Sequence, residues 1–407
     1  MILQPPAASR GTIGFGAEPA RSVAIDSVLA VRRVSLTNFR SYASVEVETG
    51  TRPVVLAGPN GAGKTNLLDA LSLLSPGRGL RGAKLSDHTR RGPAASGSTL
   101  WAVAATVSRA GETYDIGTGL VQGSGGSERR QVRLNGAAAQ SSADLGDVVQ
   151  MLWLTPAMDR LFLEGAGGRR RFLDRLVLGF HPTHARASLR YESAMRERAR
   201  LLKFGPRDPA WLDGLEAEMA EAGIAVAAAR RDAIGQLSGA LSERRDAGAF
   251  PSAQLSLTGE IDTALLEHGR DSAQEKFRAR LRTMRIADAE SGRTGVGPHV
   301  SDLAVRHMQK RADARECSTG EQKALLISIV LADAWELART RNGMSPVLLL
   351  DEIAAHLDAE RRAALFEEIL ALGTQAWLTG TDMSLFSVLG DRAELFAVTD
   401  GRFVRQE

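Results

Sequence analysis

A chain of 407 residues has room for two or three domains and a substantial core, and its net charge of +3 gives no extreme field. One cysteine, Cys317, excludes an intrachain disulfide and a four-cysteine zinc site. No apolar run reaches the roughly eighteen residues of a membrane helix, and the longest, 324–332, reads as a buried helix. A cytoplasmic protein with no membrane partner is expected.

The start of the chain lacks the apolar segment of a secretory signal and is rich in Pro, Gly and Ala, so residues 1–30 read as a flexible extension. Order is expected from Val31. Val31, Val34 and Leu36 lie in a strand-like stretch, and Val45 and Val47 alternate with Glu46 and Glu48 as on a half-exposed strand. A short buried strand at 53–57 then runs directly into Gly58-Pro59-Asn60-Gly61-Ala62-Gly63-Lys64-Thr65. This is the phosphate-loop pattern G-x-x-x-x-G-K-[ST], with strand before it and a Leu-spaced helix after it. The glycines permit tight turns and close approach to phosphate, and backbone N–H groups at a helix start face the anion. Lys64 would bridge the terminal phosphates of ATP, and Thr65 would offer its hydroxyl to Mg²⁺.

From Arg90 to Asn135 the pattern is β-like, with strands expected at 99–107, 113–120 and 131–134 and a Gly/Ser hairpin loop at 123–127. Past Leu152 the composition turns helical. Helices are expected at 184–203, broken by Pro206 and Pro209, and at 211–245, together a hairpin whose longer arm spans roughly 50 Å. A glycine-proline turn at Gly295-Val296-Gly297-Pro298-His299 leads back toward the sheet. Ser318-Thr319-Gly320-Glu321-Gln322 then opens an amphipathic helix at 323–338. Alone, that segment is equally a capping box or a serine-glycine signature that meets a γ-phosphate on an opposing subunit.

Val347–Leu350 is an apolar strand that delivers Asp351 and Glu352 to its C-terminal end, where a parallel α/β sheet places ligands. Asp351 suits a metal or its water, and Glu352 suits the attacking water. A last strand at 376–379 ends in Gly380-Thr381-Asp382, so Thr379 or Thr381 is placed to approach the γ-phosphate. His299 and His356 are given no metal role. The expected fold is α/β: an ABC-type ATPase head, a mixed sheet flanked by helices, carrying an inserted helical lobe with a short hairpin. The head is expected at 31–145 and 298–407, and the lobe at 146–297.

Taken together, NFRSY at 38–42, GPNGAGKTNLLDALSLL, Arg78 to Arg81, RRRFLD, GPH, STGEQK, LLLDEIAAHLD and TGT resemble the RecF family of bacterial recombination mediators over nearly the whole chain from Val31. The resemblance implies weak, DNA-stimulated ATP hydrolysis coupled to dimerisation on single-stranded, gapped or double-stranded DNA. It also implies the partners RecO and RecR, recombinase loading at gaps and support of the SOS response. The family's basic residue after Gly-Pro-His is replaced by Val300, and Gln150 is only a candidate for the glutamine loop. The arginines at 78, 81, 129, 130, 133 and 169–171 are candidate phosphate contacts, each cluster weighed against an ordinary solvated face. Two other classes stay open. A transporter ATPase subunit keeps the phosphate loop and the acidic strand closer together and lacks a helical insert. A non-hydrolysing ATP-gated scaffold would share every motif. A nuclease of the OLD type would need an acidic domain for which too few residues follow Asp358.

Overall fold

Four short apolar segments set the centre of the molecule: β3 (Val54–Ala57), β8 (Met151–Leu154), β12 (Val347–Leu350) and β13 (Ala376–Gly380). The computed structural model describes residues 28–406 apart from 92–99, 124–127, 206–207, 245–247 and 342–343. With β14 (Glu394–Thr399) these strands form a parallel sheet in the order β14-β3-β13-β12-β8, and β15 (Arg402–Gln406) adds an antiparallel edge.

Each of these strands is apolar on both faces, as a sheet covered on both sides requires. The two-residue side-chain period sends alternate residues into separate cores. Val55, Leu152, Leu154, Leu348, Leu350 and Leu378 join one core. Val54, Leu56, Met151, Trp153, Val347, Leu349 and Trp377 join the other.

The second core is closed by α1 (Lys64–Ser72) and by an antiparallel sheet of β1 (Ala30–Phe39), β2 (Tyr42–Glu48), β4 (Ala102–Arg109), β5 (Glu112–Gln122), β6 (Glu128–Leu134) and β7 (Ala137–Ala138). The first core is closed by α2 (Ala166–Phe180), α4 (Pro209–Glu243), α8 (Thr319–Thr340) and α9 (Ala359–Leu372). It also takes in a three-stranded sheet, β11-β10-β9, of Ala312–Asp313, Asp302–His307 and Ala253–Thr258.

The arm is an antiparallel pair, α3 (His184–Phe204) and α4. At about 1.5 Å per residue α4 is roughly 50 Å long. Helices α5 (Glu260–His268), α6 (Arg270–Thr283) and α7 (Arg285–Ser291) pack along it. Phe277 and Leu281 of α6 share a core with Tyr191, Met219 and Ile224. The expected ABC-type head with an inserted helical lobe and hairpin is therefore what the chain forms. Residues 146–297 also reach into the head's sheets, because β8 pairs with β12 and β9 pairs with β10. The expected strand at 99–107 begins at Ala102 among the described residues. Residues 1–27, the tip of the 123–127 loop from 124 onward, Pro206 and Arg245 lie outside the described residues.

Candidate functional site

The phosphate loop connects β3 to α1 at the C-terminal end of the parallel sheet. Gly61 and Gly63 have φ of 84° and 109°, which side chains with a Cβ rarely adopt. At Gly58 the constraint is space: an added Cβ would lie 2.1 Å from the carbonyl oxygen of Val398 on β14. The Tyr42 hydroxyl donates to the Gly63 carbonyl at 2.8 Å, and Asn66 donates to the Ser41 hydroxyl at 2.9 Å. The NFRSY turn thus braces the loop from the neighbouring sheet. Arg40 completes the brace, donating to the fully buried Asp69 of α1 at 3.1 Å. Pro59, Asn60 and Gly61 are exposed, whereas Ala62 and Gly63 are buried.

Lys64 lies folded back over the loop, its Nζ donating to the carbonyls of Gly58 at 2.7 Å and Pro59 at 2.9 Å. Burial pushes its ammonium below the ordinary lysine range, while Glu352 and Asp351 pull in the opposite sense. Next to it a chain of hydrogen bonds crosses three strand ends. Thr65 donates to both carboxylate oxygens of Asp351, at 2.9 and 3.1 Å. Thr379 donates to Asp351 at 2.8 Å and accepts from the backbone N–H of Glu352 at 2.8 Å. Asp351 itself is tied to the sheet edge through its N–H to the Leu154 carbonyl at 2.9 Å. Glu352 holds a left-handed backbone at φ 52°, a costly conformation for a residue with a Cβ.

Of the two threonines left open by the sequence, Thr379 is the one joined to the acidic pair. Thr381 is exposed beyond the strand end. Gln150 lies immediately before β8, at the opposite end of the parallel sheet from Asp351, so it does not meet the loop. The residue after β8 at the loop's end is Thr155, which the sequence reading did not single out. Its signal was the apolar run Met151–Leu154 before Thr-Pro.

Ser318 caps α8 in a capping box, its N–H donating to Glu321 at 3.0 Å. Ser318, Thr319 and Gly320 are exposed, and nothing lies within 4 Å of where a Cβ on Gly320 would sit. Helix α8 belongs to one core and α1 to the other. The signature and the phosphate loop of one chain therefore flank opposite faces of the parallel sheet.

The arginine clusters divide. Arg130 donates to Thr118 at 2.8 Å and to the carbonyls of Gly77, Leu73 and Ser75. Burial pushes its guanidinium down to about 10, still charged at neutral pH. Arg169 makes a two-pronged pair with Asp302 at 2.8 Å, and Arg170 donates to the Ser301 carbonyl at 2.7 Å. These three are committed to the fold. Arg78, Arg81, Arg129, Arg133 and Arg171 are exposed.

A phosphate loop, an acid pair at the end of an apolar strand, a signature on a second helix and a helical arm inserted between them define an ABC-type ATPase head of the SMC kind. The family described as RecF/RecN/SMC N terminal domain matches residues 30–400. The DNA replication and repair protein RecF of Agrobacterium fabrum is 50% identical over 92% of this chain and 98% of its own length. That of Mesorhizobium japonicum is 48% identical over 91% and 96%. Among solved structures, the recombination mediator RecF bound to ATPrS superposes with a TM-score of 0.79 at 23% identity, covering 94% of this chain and 99% of that one. The SMC head domain from Pyrococcus furiosus gives 0.51 at 16% identity, covering 93% and 96%. The chain belongs to the RecF family of DNA replication and repair proteins.

Proposed function

We propose that the chain is an ATP-gated, DNA-binding ATPase of recombinational repair that works in the cytoplasm. The observation that carries this reading is the linked set Thr65, Asp351, Thr379 and Glu352 beside Lys64 at the sheet end. ATP would lie along Gly58–Thr65, its terminal phosphates drawing Lys64 away from the loop carbonyls. The Thr65 hydroxyl and the Asp351 carboxylate are hard oxygen donors in mutual contact, a set that suits Mg²⁺. Among the described residues no group of three or more His, Cys, Asp or Glu stands ready to hold a metal alone. That fits an ion shared with nucleotide phosphates, where it would neutralise developing charge. Glu352 would orient and deprotonate the attacking water, and Thr379 would hold the acidic pair in register.

Ser318 and Gly320 would act on ATP bound to a second copy. Their support is the opposite placement of α8 and α1, together with a glycine in the exposed first turn of α8 with open space where its Cβ would be. The exposed arginines at 78, 81, 129, 133 and 171 would meet phosphates of double- or single-stranded DNA once two copies close. RecR and RecO are the partners that the family implies, with slow DNA-stimulated hydrolysis, recombinase loading at gaps and the SOS response downstream. The relatives' repair role removes the support for a transporter subunit.

The test pairs two variants. Glu352→Gln should bind ATP as before, lose turnover by about 10²- to 10⁴-fold, and accumulate as a nucleotide-bound dimer. Ser318→Arg should bind ATP and stay monomeric by light scattering. Normal turnover in the first variant would remove Glu352 from catalysis, and normal ATP-driven pairing in the second would refute the trans-acting signature.

A further inference from the structure

The free end of the arm carries two large aromatic side chains that the fold leaves in solvent. Phe204, the last residue of α3, is 77% exposed, and Trp211, in the first turn of α4, is 47% exposed. Beside them in the sequence, Leu201, Leu202 and Leu212 form a small cluster buried against each other. The contrast within one residue type is sharp. Trp101, Trp153 and Trp377 are all at most 8% exposed, and Trp335 is half-buried.

Charge accompanies the rings. Arg196, Arg200 and Lys203 recur at four- and three-residue spacing, one face of α3 that leads up to Phe204. Arg196 and Arg200 are 65% and 69% exposed, and their partners, Glu192 and Glu197, lie on the same helix, in surface pairs that hold charge only weakly. The Lys203 ammonium sits 5.0 Å from the Phe204 ring centre. The acids on the α4 side are otherwise engaged: Asp208 caps α4, and Asp213 accepts from Arg282 and Arg285.

Exposed aromatic faces beside a cationic stripe suit a strand whose bases are unstacked and whose phosphates are accessible. Duplex DNA hides its base faces and would use the arginines alone. We propose that the arm tip is a contact for single-stranded nucleic acid, with Phe204 and Trp211 stacking on unpaired bases while Arg196, Arg200 and Lys203 hold the phosphates. This rests on the DNA reading given above and assigns it a second, chemically distinct surface, far along the arm from the head's arginines.

Trp211 supplies its own signal. The full-length protein with ATP is titrated with oligo-dT and, separately, with duplex DNA, following tryptophan emission and anisotropy. Oligo-dT should quench the emission, and Trp211→Ala should abolish that quenching. Phe204→Ala and Trp211→Ala should each weaken oligo-dT binding about tenfold, with duplex and ATP affinities unchanged, and Trp211→Phe should restore most of the loss. Unchanged oligo-dT affinity in both alanine variants overturns the proposal. So does an equal loss on oligo-dT and duplex, which would mean that the rings do not select unpaired bases. Unchanged oligo-dT affinity with lost binding of purified RecR or RecO would make the tip a protein-docking point instead. A wild-type protein that binds neither DNA form would defeat the DNA reading itself, a result separable from failure at the tip alone.

Discussion

Two polar clusters in this molecule treat charge in opposite ways. Toward the free end of the arm, just below its tip, Arg198 is fully buried and saturated. It donates to Glu216 at 3.0 Å, Asp288 at 2.7 Å, Thr294 at 3.3 Å and the Leu281 carbonyl at 2.8 Å. Further along α4 toward the head, Arg230 grips Asp174 with both prongs at 2.7 and 2.9 Å and donates to the Pro298 carbonyl at 2.6 Å. Tyr191 and His299 share a hydrogen bond of 2.6 Å. At the nucleotide end, Asp351 is almost as enclosed but accepts from two neutral hydroxyls. The cation beside it, Lys64, spends its donors on loop carbonyls. A saturated cluster specifies one arrangement of its elements. An under-neutralised one retains a field that a ligand can satisfy.

The sharpest way to break this comparison is to remove a cation from the saturated side. Arg198→Met should destabilise the protein by about 3–5 kcal/mol, because it removes the cation paired with the buried Asp288, while Glu216 keeps only Arg285. Chemical denaturation measures this, and a loss below about 1 kcal/mol would mean that the cluster does not fix the arrangement of the arm helices. The same operation on the other side should read out differently. Lys64→Ala should change stability by less than about 1 kcal/mol, since burial already disfavours its charge. Yet it should weaken ATP binding by about 1.5–3 kcal/mol, the scale of a hydrogen bond to a charged group. Calorimetric titration and a melting curve on the same sample separate the two quantities.

The smallest effect is a slope. Burial lowers the His299 pKa below its ordinary value of 6.5, against the pull of the Thr294 carbonyl. The unfolded chain therefore takes up this proton first as pH falls, so the stability tied to neutral His299 is present above about pH 6.5 and lost below it. His299→Gln should flatten the dependence of unfolding free energy on pH between about 7 and 5. An unchanged slope would separate His299 from the cluster.

The same contrast explains what could be read from the sequence. The phosphate loop and the strand before Asp351 are legible because their chemistry is local: a loop must be glycine-rich where it turns, and a buried parallel strand must be apolar on both faces. The arm helices were legible from periodicity, His184 to Lys203 against the observed end at Phe204. β8 was not, because four apolar residues before a proline fit a helix start as well as a strand. The β14–β15 hairpin and α5 to α7 escaped for a similar reason, their patterns being short and interrupted. The arginines were the least legible. RRRFLD looks like one basic patch, yet Arg169 and Arg170 are drawn inward by Asp302 and the Ser301 carbonyl, more than a hundred residues away, and only Arg171 faces water. Which of three adjacent cations serves the fold depends on partners that no local window contains. The Gly-Pro-His turn has the same character: the Pro298 carbonyl accepts from Arg230 of α4 and His299 Nδ1 pairs with Tyr191 of α3, so the turn seats the arm.

The placement of α1 and α8 on opposite faces of one sheet has a genetic corollary. In the pair proposed above, each copy lends its loop to one composite site and its signature to the other. Mix a chain defective at Lys64 with a chain defective at Ser318, and the heterodimer gathers both lesions into a single dead site while the second site is assembled wholly from intact parts. Two alleles that are each inactive alone would then partly rescue one another, whereas two lesions in the same loop would not.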